Sequence, residues 1–143
     1  MSTLKLNIIS QTQTLPEIEI DSLTADTSEG QVTILVDHLP LFVKLVPSEL
    51  VYRTQGKEEI FAVSTGFLDV GPDNVIRVIT DSLKSARELS LSQASQAVAA
   101  AQHELKQAQE SQISAQEMIR VEASLRQALL EEKIARKTSK TSL

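Results

Sequence analysis

All eight helix- and strand-breaking residues of this chain lie in its first half. Gly30, Gly56, Gly66 and Gly71, with Pro16, Pro40, Pro47 and Pro72, are the complete set, and none follows residue 72 of 143. Glycine and proline mark turns, so a chain that stops using them changes its architecture. The first part must turn often, and the second has no local reason to turn at all. Charge changes with it: residues 1–83 hold 5 Lys/Arg against 12 Asp/Glu, whereas residues 84–143 hold 9 against 7.

The turning half reads as strands. Leu4, Leu6 and Ile8 alternate with polar residues, the period-2 pattern of a half-buried strand. Ile18, Ile20 and Leu23 suggest a second strand, and Val32, Ile34 and Val36 a third. Apolar runs at 42–46, 50–52, 60–63, 67–70 and 75–79 continue the series. Glu29-Gly30, Thr54-Gln55-Gly56-Lys57 and Gly71-Pro72-Asp73-Asn74 supply turn chemistry between them. Many short strands with regular turns imply a β-sandwich or barrel. On this reading the strands are complete before Asp81, so the half should fold alone.

The second half reads as helix. Leu91, Ala94, Val98, Ala101, Leu105 and Ala108 recur at 3, 4, 3, 4, 3, which keeps them on one helical face. Ser90 or Ser92 suits the N-cap. Met118, Val121, Leu125 and Ala128 repeat the spacing. Residues 110–115 offer no Gly or Pro, so both a two-helix hairpin and one extended helical arm are open. The expected fold class is α+β: a β-sandwich domain over 1–83, then a helical domain over 84–143.

Composition excludes several chemistries. There is no cysteine, hence no disulfide or thiolate site. His38 and His103 are the only histidines, too few for a histidine-rich metal site. No Gly-rich phosphate loop or nucleophile motif appears, so neither catalytic residues, cofactor nor metal is expected. The net charge of −5 argues against nucleic-acid binding. Met1-Ser2-Thr3-Leu4-Lys5 lacks the pattern of a signal peptide, and no apolar run approaches the roughly 20 residues of a membrane span.

Three motifs in order carry a resemblance. They are Glu29-Gly30-Gln31-Val32-Thr33-Ile34-Leu35-Val36-Asp37-His38-Leu39-Pro40-Leu41, then Phe61-Ala62-Val63-Ser64-Thr65-Gly66-Phe67-Leu68-Asp69-Val70, then Val75-Ile76-Arg77-Val78-Ile79-Thr80-Asp81. Together they resemble the epsilon subunits of rotary proton-translocating ATP synthases, over residues 4–94 in register and by architecture beyond. That family usually has Gly where Thr33 and Thr65 stand, and often Glu at Gln31. Thr33 and Thr65 must therefore avoid positive φ, which β-branched residues resist.

The resemblance implies a non-catalytic central-stalk rotor subunit at the cytoplasmic face of an energy-coupling membrane. It would touch the membrane only indirectly, through the complex. The implied partners are the gamma subunit of the shaft, the membrane c-ring, and the alpha and beta catalytic subunits through the helical tail. Glu29, Gly30, Gln31, His38, Pro40 and Leu41 become partner-contact candidates. Taken by itself, His38 reads first as a turn histidine with a backbone partner. The basic tail residues Arg120, Arg126, Lys133, Arg136 and Lys137, with Lys140 beyond them, become candidates for restraining ATP hydrolysis. They also suit a solvated helix face.

Some members bind ATP through Ile/Leu-Asp-x-x-Arg-Ala where the helices begin. Here the stretch is Leu89-Ser90-Leu91-Ser92-Gln93-Ala94, and only Leu89 and Ala94 match. Gln93 lacks the charged fork that an arginine offers phosphate, so ATP binding should be weak or absent. Two rival readings remain: a self-standing β-sandwich and coiled-coil binding module, and a small nucleotide-binding regulator. Co-purification with a multi-subunit ATPase separates the leading reading from the first rival.

Overall fold

The computed structural model describes residues 3–141, the last three of them by backbone alone. Two compact units emerge, 1–85 and 86–143. In the first, ten strands run in order: β1 Leu4–Ser10, β2 Ile18–Ile20, β3 Ser22–Thr27, β4 Gly30–Ile34, β5 Leu41–Leu45, β6 Ser48–Thr54, β7 Lys57–Val63, β8 Gly66–Val70, β9 Val75–Thr80 and β10 Leu83–Ser85.

They form two layers. One holds β10, β7, β6, β3 and β4; the other holds β5, β8, β9, β1 and β2. A single pair, Thr27 with Leu45, joins the layers at one edge. At the opposite edge the Asp21 amide donates to the Arg53 carbonyl at 2.7 Å, and Thr54 Oγ1 donates to the Glu19 carbonyl at 2.9 Å. Both seams are thereby bridged, while β4 and β10 each pair with one neighbour only. The chain passes from β1 to the parallel strand β9 only at the end of the sandwich, with Leu6 opposite Ile76 and Ile8 opposite Val78.

The alternating residues read from sequence do face inward. Leu4, Leu6, Leu23, Ile34, Leu45, Leu50, Val63, Leu68, Ile76 and Val78 are fully buried. The core is aliphatic apart from Tyr52 and Phe61, whose rings stack at 5.9 Å. Gly66 is required by close approach: a Cβ there would overlap the carbonyl oxygen of Ile79 on the neighbouring strand. Thr33 and Thr65 are not among the residues with positive φ. Thr33 instead meets Thr24 across the β3–β4 pair, with hydroxyls 3.0 Å apart.

Two strand readings need correction. The segment expected as one strand around Ile18 to Leu23 is divided at Asp21, because β2 pairs with β1 and β3 pairs with β4 and β6. The sandwich is also not complete before Asp81. Strand β10 pairs with β7, Leu83 is buried, and Gln13 Nε2 donates to the Leu83 carbonyl at 3.1 Å. Thr80 Oγ1 sits 3.1–3.3 Å from the carbonyls of Ser64, Thr65 and Ser82, with one proton to donate among them, and so ties this exit to the β7–β8 turn.

The second unit begins with a short 3-10 turn, Ala86–Glu88, followed by α1 Leu91–Glu110 and α2 Ala115–Thr141. Of the two arrangements open from sequence, the structure takes the packed pair. Ala94, Val98, Ala101 and Ala108 of α1 are buried, as are Val121, Ile134 and Ala135 of α2. Serines make the break. Ser111 caps α1, its amide donating to the Gln107 carbonyl. Ser114 Oγ accepts from the Glu117 amide at 3.1 Å to start α2. Ser114-x-x-Glu117 is the spacing of a capping box. The start of α1 is capped by Ser90, which accepts from the Gln93 amide at 3.4 Å.

Candidate functional site

The family-like loops flank strand β4. Glu29 lies in the β3–β4 turn, and Gly30 and Gln31 open β4 beside it. Gly30 has φ of 111°, a conformation that side chains resist. Thr27 Oγ1 donates to the Gly30 carbonyl at 2.6 Å and accepts from the Glu29 amide at 3.1 Å, so the turn is internally fixed. Gln31 is exposed, and its Nε2 donates to Asp26 Oδ1 at 3.2 Å. An exposed amide stands where the family often has a charge.

His38, Pro40 and Leu41 lie beyond the other end of β4. Val32, Thr33 and Ile34 of β4, at about 3.3 Å each, run from Gln31 toward the second loop and set the two groups at opposite ends of the strand. His38 Nδ1 donates to the Leu39 carbonyl at 2.6 Å, and its amide to the Leu35 carbonyl at 3.1 Å. His38 thus has the backbone partner of a turn histidine. Pro40 is exposed, while Leu41 packs partly against the core. Leu39, between them, is the most exposed of the large apolar side chains described, at 79%.

This second loop is clasped. The Asp37 amide donates to Asn74 Oδ1 at 2.7 Å, and Asn74 Nδ2 donates to Asp37 Oδ1 at 3.2 Å. Both residues are left-handed, with φ of 66° and 60°. Asp and Asn tolerate that region better than other side chains do. The Asn74 carbonyl in turn accepts from the Lys5 amide at 2.9 Å, which fixes the β8–β9 turn to β1.

An apolar strip lies on the outer face of the β5–β8–β9–β1 layer, and the site residues chosen from sequence did not include it. Phe42, Phe67, Ile79 and Ile9 are exposed there by 69, 45, 48 and 37%. Phe67 is in register with Ile79, and Ile79 with Ile9. Phe42 stacks on Phe67, centroids 5.4 Å apart. The chain has only three phenylalanines, and two of them sit outside the core. The signal was present in the sequence. Ile8-Ile9, Phe42-Val43, Phe67-Leu68 and Val78-Ile79 break strict alternation, so each strand has apolar residues on both faces.

The tail candidates are spread along α2. Arg120, Arg126, Lys133, Arg136 and Lys137 are all exposed. Arg120 lines a shallow recess with Ser111, Ile113 and Val121 at the turn between the helices. Arg136 pairs with Glu132 at 3.5 Å. The side chain of Lys140 lies outside the described residues. No helix among the described residues is long and apolar enough to cross a membrane.

Comparison with known proteins agrees with this geometry. Residues 3–86 match the family model for the β-sandwich domain of the ATP synthase delta/epsilon chain. The ATP synthase epsilon chain of Dehalococcoides mccartyi is 34% identical over 140 residues, covering 98% of this chain and 97% of its own. That of Herpetosiphon aurantiacus is 31% identical over 133 residues, covering 93% and 94%. Among solved structures, a chain of the Euglena gracilis mitochondrial ATP synthase OSCP/F1/c-ring assembly superposes with a TM-score of 0.75 at 20% identity, over 95% of this chain and 82% of that one. A chain of the Tetrahymena thermophila mitochondrial ATP synthase central stalk and c-ring gives 0.61 at 13% identity, over 92% and 96%. These two show a common fold. The sandwich matched along its whole length, with relatives aligned across both units, means that the chain belongs to the ATP synthase delta/epsilon family, as a non-catalytic epsilon subunit of the central stalk.

Proposed function

We propose that this subunit docks its outer sheet face on the gamma shaft and its Glu29–Gly30–Gln31 turn on the polar loops of the membrane c-ring, and so turns with both. In that position it couples proton translocation through the ring to ATP synthesis, on the cytoplasmic face of the energy-coupling membrane. The observation that carries the reading is the strip of Phe42, Phe67, Ile79 and Ile9. An aromatic-poor chain gains nothing in its own core from two phenylalanines placed outside it. Rimmed apolar patches on otherwise polar surfaces mark contact sites. Torque transfer also requires a stiff body, and a sandwich bridged at both seams is one.

The helical pair has a separate role in this proposal. Its buried positions on α1 are alanines and Val98, with Leu105 half-buried beside them, so the seam has fewer fully buried large side chains than the sandwich core. Closed and open forms that differ by a few kcal/mol are readily shifted by partners. In the open form, Arg120, Arg126, Lys133, Arg136 and Lys137 meet acidic loops of the alpha and beta subunits and restrain hydrolysis.

The test uses reconstituted synthase. The double change Phe42→Glu and Phe67→Glu should leave the circular-dichroism spectrum intact and weaken assembly by about 100-fold or more, since a buried Phe contributes roughly 1.5–3 kcal/mol. Unchanged assembly would remove the docking claim and favour the self-standing module. Neutralising the five basic residues should raise hydrolysis severalfold at low salt. The difference should shrink as exposed charges are screened over about 8–10 Å near physiological ionic strength.

A further inference from the structure

We propose that Asp37 and Asn74 are positioning residues for rotor docking, and that their clasp presents Leu39 as a prebuilt apolar knob. The proposal rests on the shaft-docking role given above.

The segment carrying Leu39 is fixed on both sides. Asp37 is held by Asn74 through two hydrogen bonds, of 2.7 and 3.2 Å. Leu41 is held by its pairing with Val70 at the start of β5. Within the segment, both His38 bonds go to the backbone of its own loop. Leu39 therefore projects into solvent from a closed, braced loop, with Pro40 limiting the backbone beside it.

The clasp also fixes the loop to one particular layer. Asn74 belongs to the β8–β9 turn and is bonded through its carbonyl to Lys5 of β1. Strands β5, β8, β9 and β1 carry the apolar strip, and Phe42 follows Leu39 by three residues. The loop and the strip are consequently parts of one framework. Binding through a mobile loop loses affinity to the ordering that association demands, and a loop already ordered avoids that loss. The clasp bonds lie at the exposed surface, where hydrogen bonds to water compete and the net gain in folding stability is modest. A pair of left-handed residues bonded reciprocally there has its main consequence in the pose of the loop.

The experiment titrates full-length chain onto rotor depleted of this subunit. Asn74→Gly retains the left-handed backbone and removes both side-chain bonds. The expected result is a melting temperature within about 2 °C of the parent and an affinity lower by about fivefold to tenfold. Leu39→Ala should weaken binding in the parent and have little further effect in the Asn74→Gly background, the non-additivity of coupled residues. Asp37→Asn keeps both the acceptor oxygen and tolerance of left-handed φ, and should bind as the parent does. Hydrogen exchange at the Asp37 amide should accelerate in Asn74→Gly. Parent-like binding by Asn74→Gly, equal cost of Leu39→Ala in both backgrounds, or an unchanged Asp37 amide would each overturn the proposal. If Phe42→Glu with Phe67→Glu abolishes docking while Asn74→Gly is silent, the clasp inference alone fails. If neither change alters docking, the shaft reading fails and takes the clasp with it.

Discussion

The two units of this protein bury different things. The sandwich encloses long aliphatic side chains from both layers, many with no accessible surface at all. The helical pair encloses mainly alanines with Val98 and Val121, and Ile134 is its one fully buried large side chain among the described residues. Apolar area removed from water scales roughly with stabilisation, at about 25 cal/mol per Å². The sandwich is therefore the stable body and the hairpin the soft one. A stable body suits a part that must transmit torque. A soft pair with a narrow seam suits a part that must change partners. The difference comes from side-chain size, since both regions follow their expected periodicities.

The sharpest way to break this comparison is a pair of core truncations. Leu68→Ala should cost about 2–5 kcal/mol, the usual range for a buried leucine. Val98→Ala removes two methyl groups, about 1.6 kcal/mol at roughly 0.8 each, and regains about 0.5 from the better helix propensity of alanine. Urea denaturation of the full chain, followed separately in the strand and helix signals, reads both. Similar losses in the two units would show that the hairpin is no softer than the sandwich.

Truncation sharpens the same contrast at its boundary. A chain ending after Ser85 should keep the sandwich transition, because β10 and its bonds remain. A chain ending after Thr80 loses the β10–β7 pairing, the buried Leu83 and the Ser82 partners of Ser64 and Thr80. Its denaturation midpoint should fall by the equivalent of about 2–3 kcal/mol, in the range of a lost buried leucine. Equal midpoints would show β10 to be an ornament of the hairpin unit rather than a member of the sandwich.

The smallest effect belongs to the helix break. Ser114→Ala removes the cap of α2 and should cost about 1 kcal/mol, confined to the helical transition. A change in the strand signal would show that the cap acts beyond its own helix.

Most of the strand faces were legible because alternation is a local code. Leu4, Leu6 and Ile8 announce one face of β1 without reference to any other residue. The hairpin was half legible. The spacing fixed both helical faces, while the break between them depended on Ser111 and Ser114, which cap as well as glycine or proline would punctuate. The apolar strip was visible in principle, as doubled apolar residues in four strands. Only the sheet order makes those four strands neighbours and turns scattered residues into a surface.

By itself, then, the sequence determined that strands give way to helices, which faces of most of them turn inward, and which family the motifs resemble. Those properties depend on neighbours a few positions away. The tertiary structure alone decided the rest. Asp37 meets Asn74 across 37 positions, and Gln13 reaches Leu83 across 70. No periodicity reports such a contact, because each residue's own neighbourhood is compatible with many partners. The fold selects one by bringing β1 beside β9 and β10 beside β7, and only then do a clasped loop and a tenth strand exist.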